Sequence, residues 1–449
     1  MKPLSGVNAV QEMPVTARCG STHAAGRCIP ILLLFCLAQT VAAAAQSVCP
    51  PAPKASACIQ SALDRLAPGE SLRLQAGRYG IDRPLQFTRP GIALEGAGDA
   101  TLLYRAVTVA DGEGVLNLRG SNQALRRFRF DGGVTEARRI PYSDLSGGPS
   151  VFGAPIYGNP MHADFLANTS VTIHRGVSGA LLEGVTIEHT GGYAVLVDAR
   201  YGDIRDVTIR KCILRNNRPH LFGVAAAGTR PADIRYGAWT GGIHYQNDGR
   251  DLDFARFALR GLVVEDCDFN RIDGHAIWGH GYGFQTLNED IVVRGNRFED
   301  IGLDAIQIGN TRRALVAGNR IRRAGFVTET DEDRPRPAWY PGVAQGMADN
   351  ISPVGIDTTG LVIDSVYSDN TMTSVNGTAI DLDGFTEGEV LRNEIRIPGR
   401  EDAYHAVLDR VAEFGPYTGG DAANAPGNLT KGINLSNSSA NIPTRRVHI

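Results

Sequence analysis

Lysine is almost missing from this chain of 449 residues. Of its 45 basic residues only Lys2, Lys54, Lys211 and Lys431 are lysine, and the others are arginine. Aromatic residues make up 7% and charged residues 21%. A formal net charge of −3 provides no general basic field for nucleic acid. At 43% hydrophobic residues the chain is too apolar for disorder. No apolar run is long enough to span a bilayer, and Cys/His spacing of the zinc-binding kind does not occur. Glycine is plentiful, 53 residues spread along the chain, which suits turns and penalises helices. A single ordinary core stops growing at roughly 250–300 residues. The chain is therefore two or three domains, or one repeat whose core grows along an axis.

Residues 1–45 read as a secretory signal. Arg18 and Arg27 precede the apolar run Ile29 to Leu37, and Val41-Ala42-Ala43-Ala44-Ala45 supplies small residues for cleavage after Ala45. Met13 is an alternative start. A secreted or periplasmic protein is expected. Cys19, Cys28 and Cys36 leave with the signal, and Cys49 and Cys58 are placed to pair in an oxidising compartment. Cys212 and Cys267 sit in apolar segments and read as small buried residues.

A short strand phrase recurs through the rest of the chain. It reads Ala194-Val195-Leu196-Val197-Asp198, Gly242-Ile243-His244-Tyr245-Gln246, Ala276-Ile277-Trp278-Gly279-His280, Ala305-Ile306-Gln307-Ile308-Gly309, Gly355-Ile356-Asp357-Thr358-Thr359, Ala379-Ile380-Asp381-Leu382-Asp383 and Gly432-Ile433-Asn434-Leu435-Ser436. Each copy alternates with period two. Between copies, Asn296, Asn319, Asn370 and Asn393 stand two residues before Phe298, Ile321, Met372 and Ile395, and Cys212 and Cys267 hold the same place before Leu214 and Phe269. Short strands in a repeat of roughly 23–29 residues, with an aligned Asn at one turn, have one natural solution. It is an all-β parallel β-helix with a buried Asn ladder along its axis, a single domain over 46–449. Segments of about 135–170, 218–240, 326–352 and 400–430 read as insertions into the rungs.

The start of the mature chain agrees. Ala57 to Leu66 has apolar residues at helical spacing, Pro68-Gly69 stops it, and Ser71 to Tyr79 alternates as a strand. A short helix there would cap the first rung. The Pro-Gly turn and the strand ending Gly77-Arg78-Tyr79 resemble the pectate-lyase-like right-handed β-helix superfamily. The resemblance implies a right-handed coil and polysaccharide-processing relatives, among them lyases, polygalacturonase-like hydrolases and uronate epimerases. Gly279-His280-Gly281 is similar to a polygalacturonase signature, but the Asn-Thr-Asp and Asp-Asp motifs of those enzymes are absent. So are the Asp-Pro-His-Asp of mannuronan epimerases and the Arg-x-Pro-x-x-Arg of pectate lyases.

Stacking the phrases turns Val195, Ile243, Ile277, Ile306, Ile356, Ile380 and Ile433 inward. It also gives an outward column of Leu196, His244, Trp278, Gln307, Asp357, Asp381 and Asn434. Asp198, Gln246, His280, Thr359 and Asp383 form a second outward column. Asp357, Asp381 and Asp383 are the candidate acid and base for glycosidic cleavage, because neighbouring carboxylates raise one another's pKa. The same three are the candidate ligands if Ca²⁺ is bound against a uronate. His280 is the candidate proton-transfer group. His244, His275, Gln307 and Arg312 are candidate sugar-binding residues, with Trp278 as a stacking surface. Arg312, Arg313 or a histidine would be the base of a lyase. The insertions add the aromatic residues Trp239, Trp339 and Tyr340. The expected function is cleavage of a uronic-acid-containing polysaccharide by β-elimination or hydrolysis. A uronate epimerase and a non-catalytic carbohydrate-binding adhesin are the alternatives. A monomer is expected, with no nucleic-acid partner and no membrane span.

Overall fold

The computed structural model describes residues 49–449 except 108, 110–111, 134–139, 142–168, 218–222, 225–240, 248–255, 273, 280–285, 303, 325, 329–334, 338–353, 374, 376–377, 397–430 and 437–441; at 140–141, 223–224, 326–328, 335–337, 431 and 436 only the backbone is described. The signal segment expected at 1–45 lies outside the described residues. No helix among them is long and apolar enough to cross a membrane.

Apolar residues that alternate with polar ones must share one side of a strand. In this chain three such alternations recur per repeat, so the backbone coils with three strands per rung. All pairings between rungs are parallel, and parallel crossovers take the right-handed path. On the first face the inward column runs Leu85, Leu116, Val171, Val195, Ile243, Ile277, Ile306, Ile356, Ile380, Ile433. The second face contributes Leu72, Leu94, Leu125, Leu182, Ile209, Val264, Val293, Val316, Tyr367, Val390. The third contributes Tyr79, Leu103, Phe130, Ile187, Leu214, Phe269, Phe298, Ile321, Met372, Ile395. These columns meet on the axis as one continuous core. The architecture implied by the family resemblance is the one observed.

The corner between the second and third faces holds the ladder expected from the repeat. Asn296, Asn319 and Asn370 each donate Nδ2–H to Oδ1 of the next Asn, at 3.0, 2.9 and 2.8 Å, ending on Asn393. Their backbone N–H groups donate to the same oxygens. The second Nδ2 proton of each goes to a main-chain carbonyl of the preceding rung, such as Val264 for Asn296. Cys267 N–H donates to Asn296 Oδ1, and Cys212 N–H to Cys267 Sγ, so the buried cysteines continue the column. The residue before each ladder position is left-handed: Lys211, Asp266, Gly295, Gly318, Asp369 and Arg392.

Helix Ser56–Leu63 caps the first rung, and Cys49 and Cys58 are disulfide-bonded. One expectation needs correction. The segment Ser71–Tyr79 is two strands, Ser71–Arg73 and Gly77–Ile81, because the first rung turns a corner at Gly77. A Cβ on Gly77, whose φ is +148°, would lie 2.2 Å from Cγ of Pro51.

The inserted segments have a common address. Residues 133–168, 218–240, 325–353 and 397–430 all connect the third face to the first. Two shorter ones not anticipated from the sequence, 247–258 and 280–287, leave the first face on its other edge. The backbone pairs 140–141 with 223–224, linking the first two insertions, and 326–328 with 335–337 inside the third.

Candidate active site

Inserted segments join the chain at both edges of the first face, and loops on a rigid scaffold are where function concentrates. The outward column on this face runs Gln86, Asn117, Thr172, Leu196, His244, Trp278, Gln307, Asp357, Asp381, Asn434, in the register expected from the repeat.

Its carboxyl-terminal end is acidic. Asp357 and Asp381 are register neighbours on adjacent rungs. Gln307 Nε2 donates to Asp357 Oδ2 at 2.6 Å, and Asn434 Nδ2 to Asp381 Oδ1 at 3.0 Å. Asp383 lies two residues beyond Asp381 on the same side of the strand, and its backbone N–H donates to Thr358 Oγ1. Burial, with the Asp381 carboxylate adding, pushes Asp383 up to about 7. Asp357 is raised well above the usual carboxylate range, by burial first and then by the charges of Asp304, Asp381 and Asp383, against the Gln307 hydrogen bond.

Asp304 is the member that sequence reasoning missed. It is buried, its Oδ1 accepts the Val354 N–H at 2.8 Å, and its Oδ2 lies 3.0 Å from His275 Nδ1. Asp304, His275 and Tyr193 share one place in the repeat, two residues before the inward Ile or Val. That place precedes the alternating phrase, so period-two reading passes over it.

Next to the acids stands an aromatic stack. The His244 ring centroid lies 4.6 Å from that of Tyr193 and 4.4 Å from that of Trp278, and His275 stacks on Trp278 at 4.9 Å. His244 Nδ1 donates to the Trp278 carbonyl at 3.0 Å, and Nε2 lies 3.0 Å from the Gln246 side-chain amide. Trp278, His244 and His275 were expected to meet sugar directly. Instead they are buried against one another, and Trp278, 7% exposed, presents no open face. The rung spacing is close to the stacking distance, so neighbouring rings cover each other. Arg312 was also expected here. It lies at the far end of its strand beside Glu289, and the neighbouring Arg313 is held by Glu289 and Asp290.

Asp357, Asp381 and Asp383 were the candidate ligands for Ca²⁺. Among the described residues no three His, Cys, Asp or Glu side chains converge as a metal-ligand set. Amides of Gln307 and Asn434 take up the oxygens of two of them. His280, Trp239, Trp339 and Tyr340 lie outside the described residues.

No protein-family model and no curated protein matches this chain. Among solved structures it is similar to an alginate lyase from Paenibacillus sp. str. FPU-7, at 12% identity and a TM-score of 0.48, over 84% of this chain and 97% of that one. It is also similar to PfbA, a surface adhesin of Streptococcus pneumoniae, at 11% identity and 0.46, over 76% and 89%. A polygalacturonase from Erwinia carotovora ssp. carotovora matches at 13% identity and 0.47, over 76% and 90%.

Proposed function

We propose that this protein is a secreted polysaccharide hydrolase that cleaves glycosidic bonds of an acidic polysaccharide on its first face. The observation that carries the reading is Asp383, a carboxyl that keeps its proton to about pH 7, beside Asp381 on the same strand. Glycosidic hydrolysis needs one carboxyl protonated and one ionised at the same pH, and environments that push two acids apart supply that pair. Asp383 gives its proton to the bridging oxygen as the bond to the anomeric carbon breaks. Asp381, oriented by Asn434, takes a proton from the water that adds to that carbon. Asp357, held by Gln307 and raised well above the usual carboxylate range by burial, lessens repulsion of an anionic substrate. The aromatic stack and the His275–Asp304 pair brace the acids from the adjoining rungs and act as positioning residues.

The test is incubation of the purified protein with a panel of uronic-acid and neutral polysaccharides. Reducing ends and the ultraviolet absorbance of a new carbon–carbon double bond are followed together. Reducing ends without absorbance are expected. Absorbance rising in step with them would mean β-elimination instead. Binding without either signal would make the face a carbohydrate-binding surface of the adhesin kind, and a change of uronate configuration without chain cleavage would make it an epimerase.

A further inference from the structure

The first face carries a second polar cluster at its amino-terminal end. Arg119, His174, Asp198 and Gln246 occupy successive rungs there, two residues beyond Asn117, Thr172, Leu196 and His244. Asn117 is pinned within its own strand, Gly114–Leu118: Oδ1 accepts the Gly114 N–H at 2.9 Å and Nδ2 donates to the Gly114 carbonyl at 2.6 Å. With the amide fixed, His174 Nε2, 2.8 Å from that Oδ1, must be the donor. The ring is neutral, because burial, with Arg119 adding, lowers its pKa to about 4. Nδ1 therefore keeps its lone pair and is a hydrogen-bond acceptor. Beside it, Thr172 Oγ1 is fully buried and has no hydrogen-bond partner among the described residues.

Charge sets this end apart from the other. Arg119 Nη2 donates to both carboxylate oxygens of Glu113, at 2.6 and 2.8 Å, and Arg200 is bidentate to Asp198 at 2.8 Å for both bonds. The exposed Arg175 follows His174 directly. Among the described residues, three guanidinium groups against two carboxylates give this end a cationic excess, whereas Asp304, Asp357, Asp381 and Asp383 make the other end acidic. A chain of anionic sugars would be held at the cationic end and threaded toward Asp381 and Asp383.

We propose that the His174 cluster is a distal subsite for an acidic sugar unit of the same polysaccharide chain that is cleaved at Asp381 and Asp383. His174 Nδ1 accepts a hydrogen bond from a sugar hydroxyl, and the guanidinium excess faces the carboxylate of that unit. The inference rests on the reading of the carboxylate end as the place of cleavage. From Thr172 to Asp381 there are six strand spacings of about 4.8 Å, or about 29 Å. No mono- or disaccharide reaches both ends. The substrate class is a long acidic polymer laid along the axis and cut internally.

Titration calorimetry on the Asp383→Asn protein tests this, with trimers and nonamers of oligogalacturonate and of oligomannuronate as probes. For at least one series the nonamer is expected to bind at least about tenfold more tightly than the trimer. Adding His174→Phe should remove that gain and leave trimer binding unchanged, which also shows that the fold survives. Arg175→Ala, at an exposed turn, should reduce the gain about threefold. A nonamer advantage that survives both substitutions, or that is absent in the parent, overturns the subsite and leaves the cleavage site standing. An equal advantage for neutral xylo-oligosaccharides overturns the acidic assignment. No binding of either length, together with no cleavage by the wild type, overturns both readings.

Discussion

Asp383 carries the chemistry because its strand places it beside Asp381 and partly out of water. An unfolded aspartate ionises near 4, so between pH 4 and 7 the folded chain binds a proton that the unfolded chain has released. The contribution of this group to stability is therefore full below about pH 4 and is lost as pH rises through 7. Asp357, also raised, acts with the same sign. Stability of the wild type should fall over that interval, and the Asp383→Asn protein should show a flatter profile in denaturant titrations at pH 4, 5.5 and 7. An identical slope in both would mean that Asp383 titrates normally. At this scale the sequence shows Asp357, Asp381 and Asp383, since they stand inside alternating phrases and only their register had to be inferred. Asp304 and Tyr193 were illegible because they sit before the alternation begins. The burial of Trp278 was hidden because stacking between rungs depends on which ring follows which.

Among the elements, the Asn corner is the most exacting. Asn319 is fully buried, and replacing it with Ala would strand the Asn296 main-chain N–H, one Asn296 Nδ2 proton and the Val293 carbonyl. Buried groups left unsatisfied cost about 1–3 kcal/mol each, so Asn319→Ala should destabilise by at least about 3 kcal/mol. Equilibrium unfolding would show it, and a loss under 1 kcal/mol would contradict a working ladder. The neighbouring left-handed positions make the opposite prediction. Lys211 is exposed with φ at +53°, a conformation that costs a non-glycine residue about 1 kcal/mol, so Lys211→Gly should stabilise by a comparable amount. A clear loss of stability in that variant would contradict it. The ladder was legible because four Asn recur two residues before an apolar residue. The split of Ser71–Tyr79 was not, since Leu72 and Leu74 alternate, and the odd step from Leu74 to Tyr79, which marks the corner before Gly77, passes for an irregularity within one strand. The scarcity of lysine also finds its use here. Arg294 with Glu265, Arg313 with Asp290, Arg323 with Asp300 and Arg392 with Asp369 pair across one rung, the last three by two-pronged contacts that lysine does not make.

For the whole molecule, a solenoid's rungs touch only their neighbours, so stability is local. The disulfide Cys49–Cys58 and helix Ser56–Leu63 protect the first rung alone. Reduction should raise hydrogen exchange over residues 71–87 and leave residues 243–382 as before. Faster exchange along the whole chain would mean one cooperative unit. The same one-dimensional plan explains why insertions are tolerated, since each interrupts a turn and none interrupts the stack. All four long ones fall at the corner that leads into the first face, which directs attention to the carboxylates. Reducing-end release from an acidic polysaccharide by the wild type, Asp381→Asn and Asp383→Asn, compared at equal thermal stability, tests this most directly. A loss of at least about a hundredfold in both variants is predicted. Full activity in both would place the chemistry elsewhere on the coil.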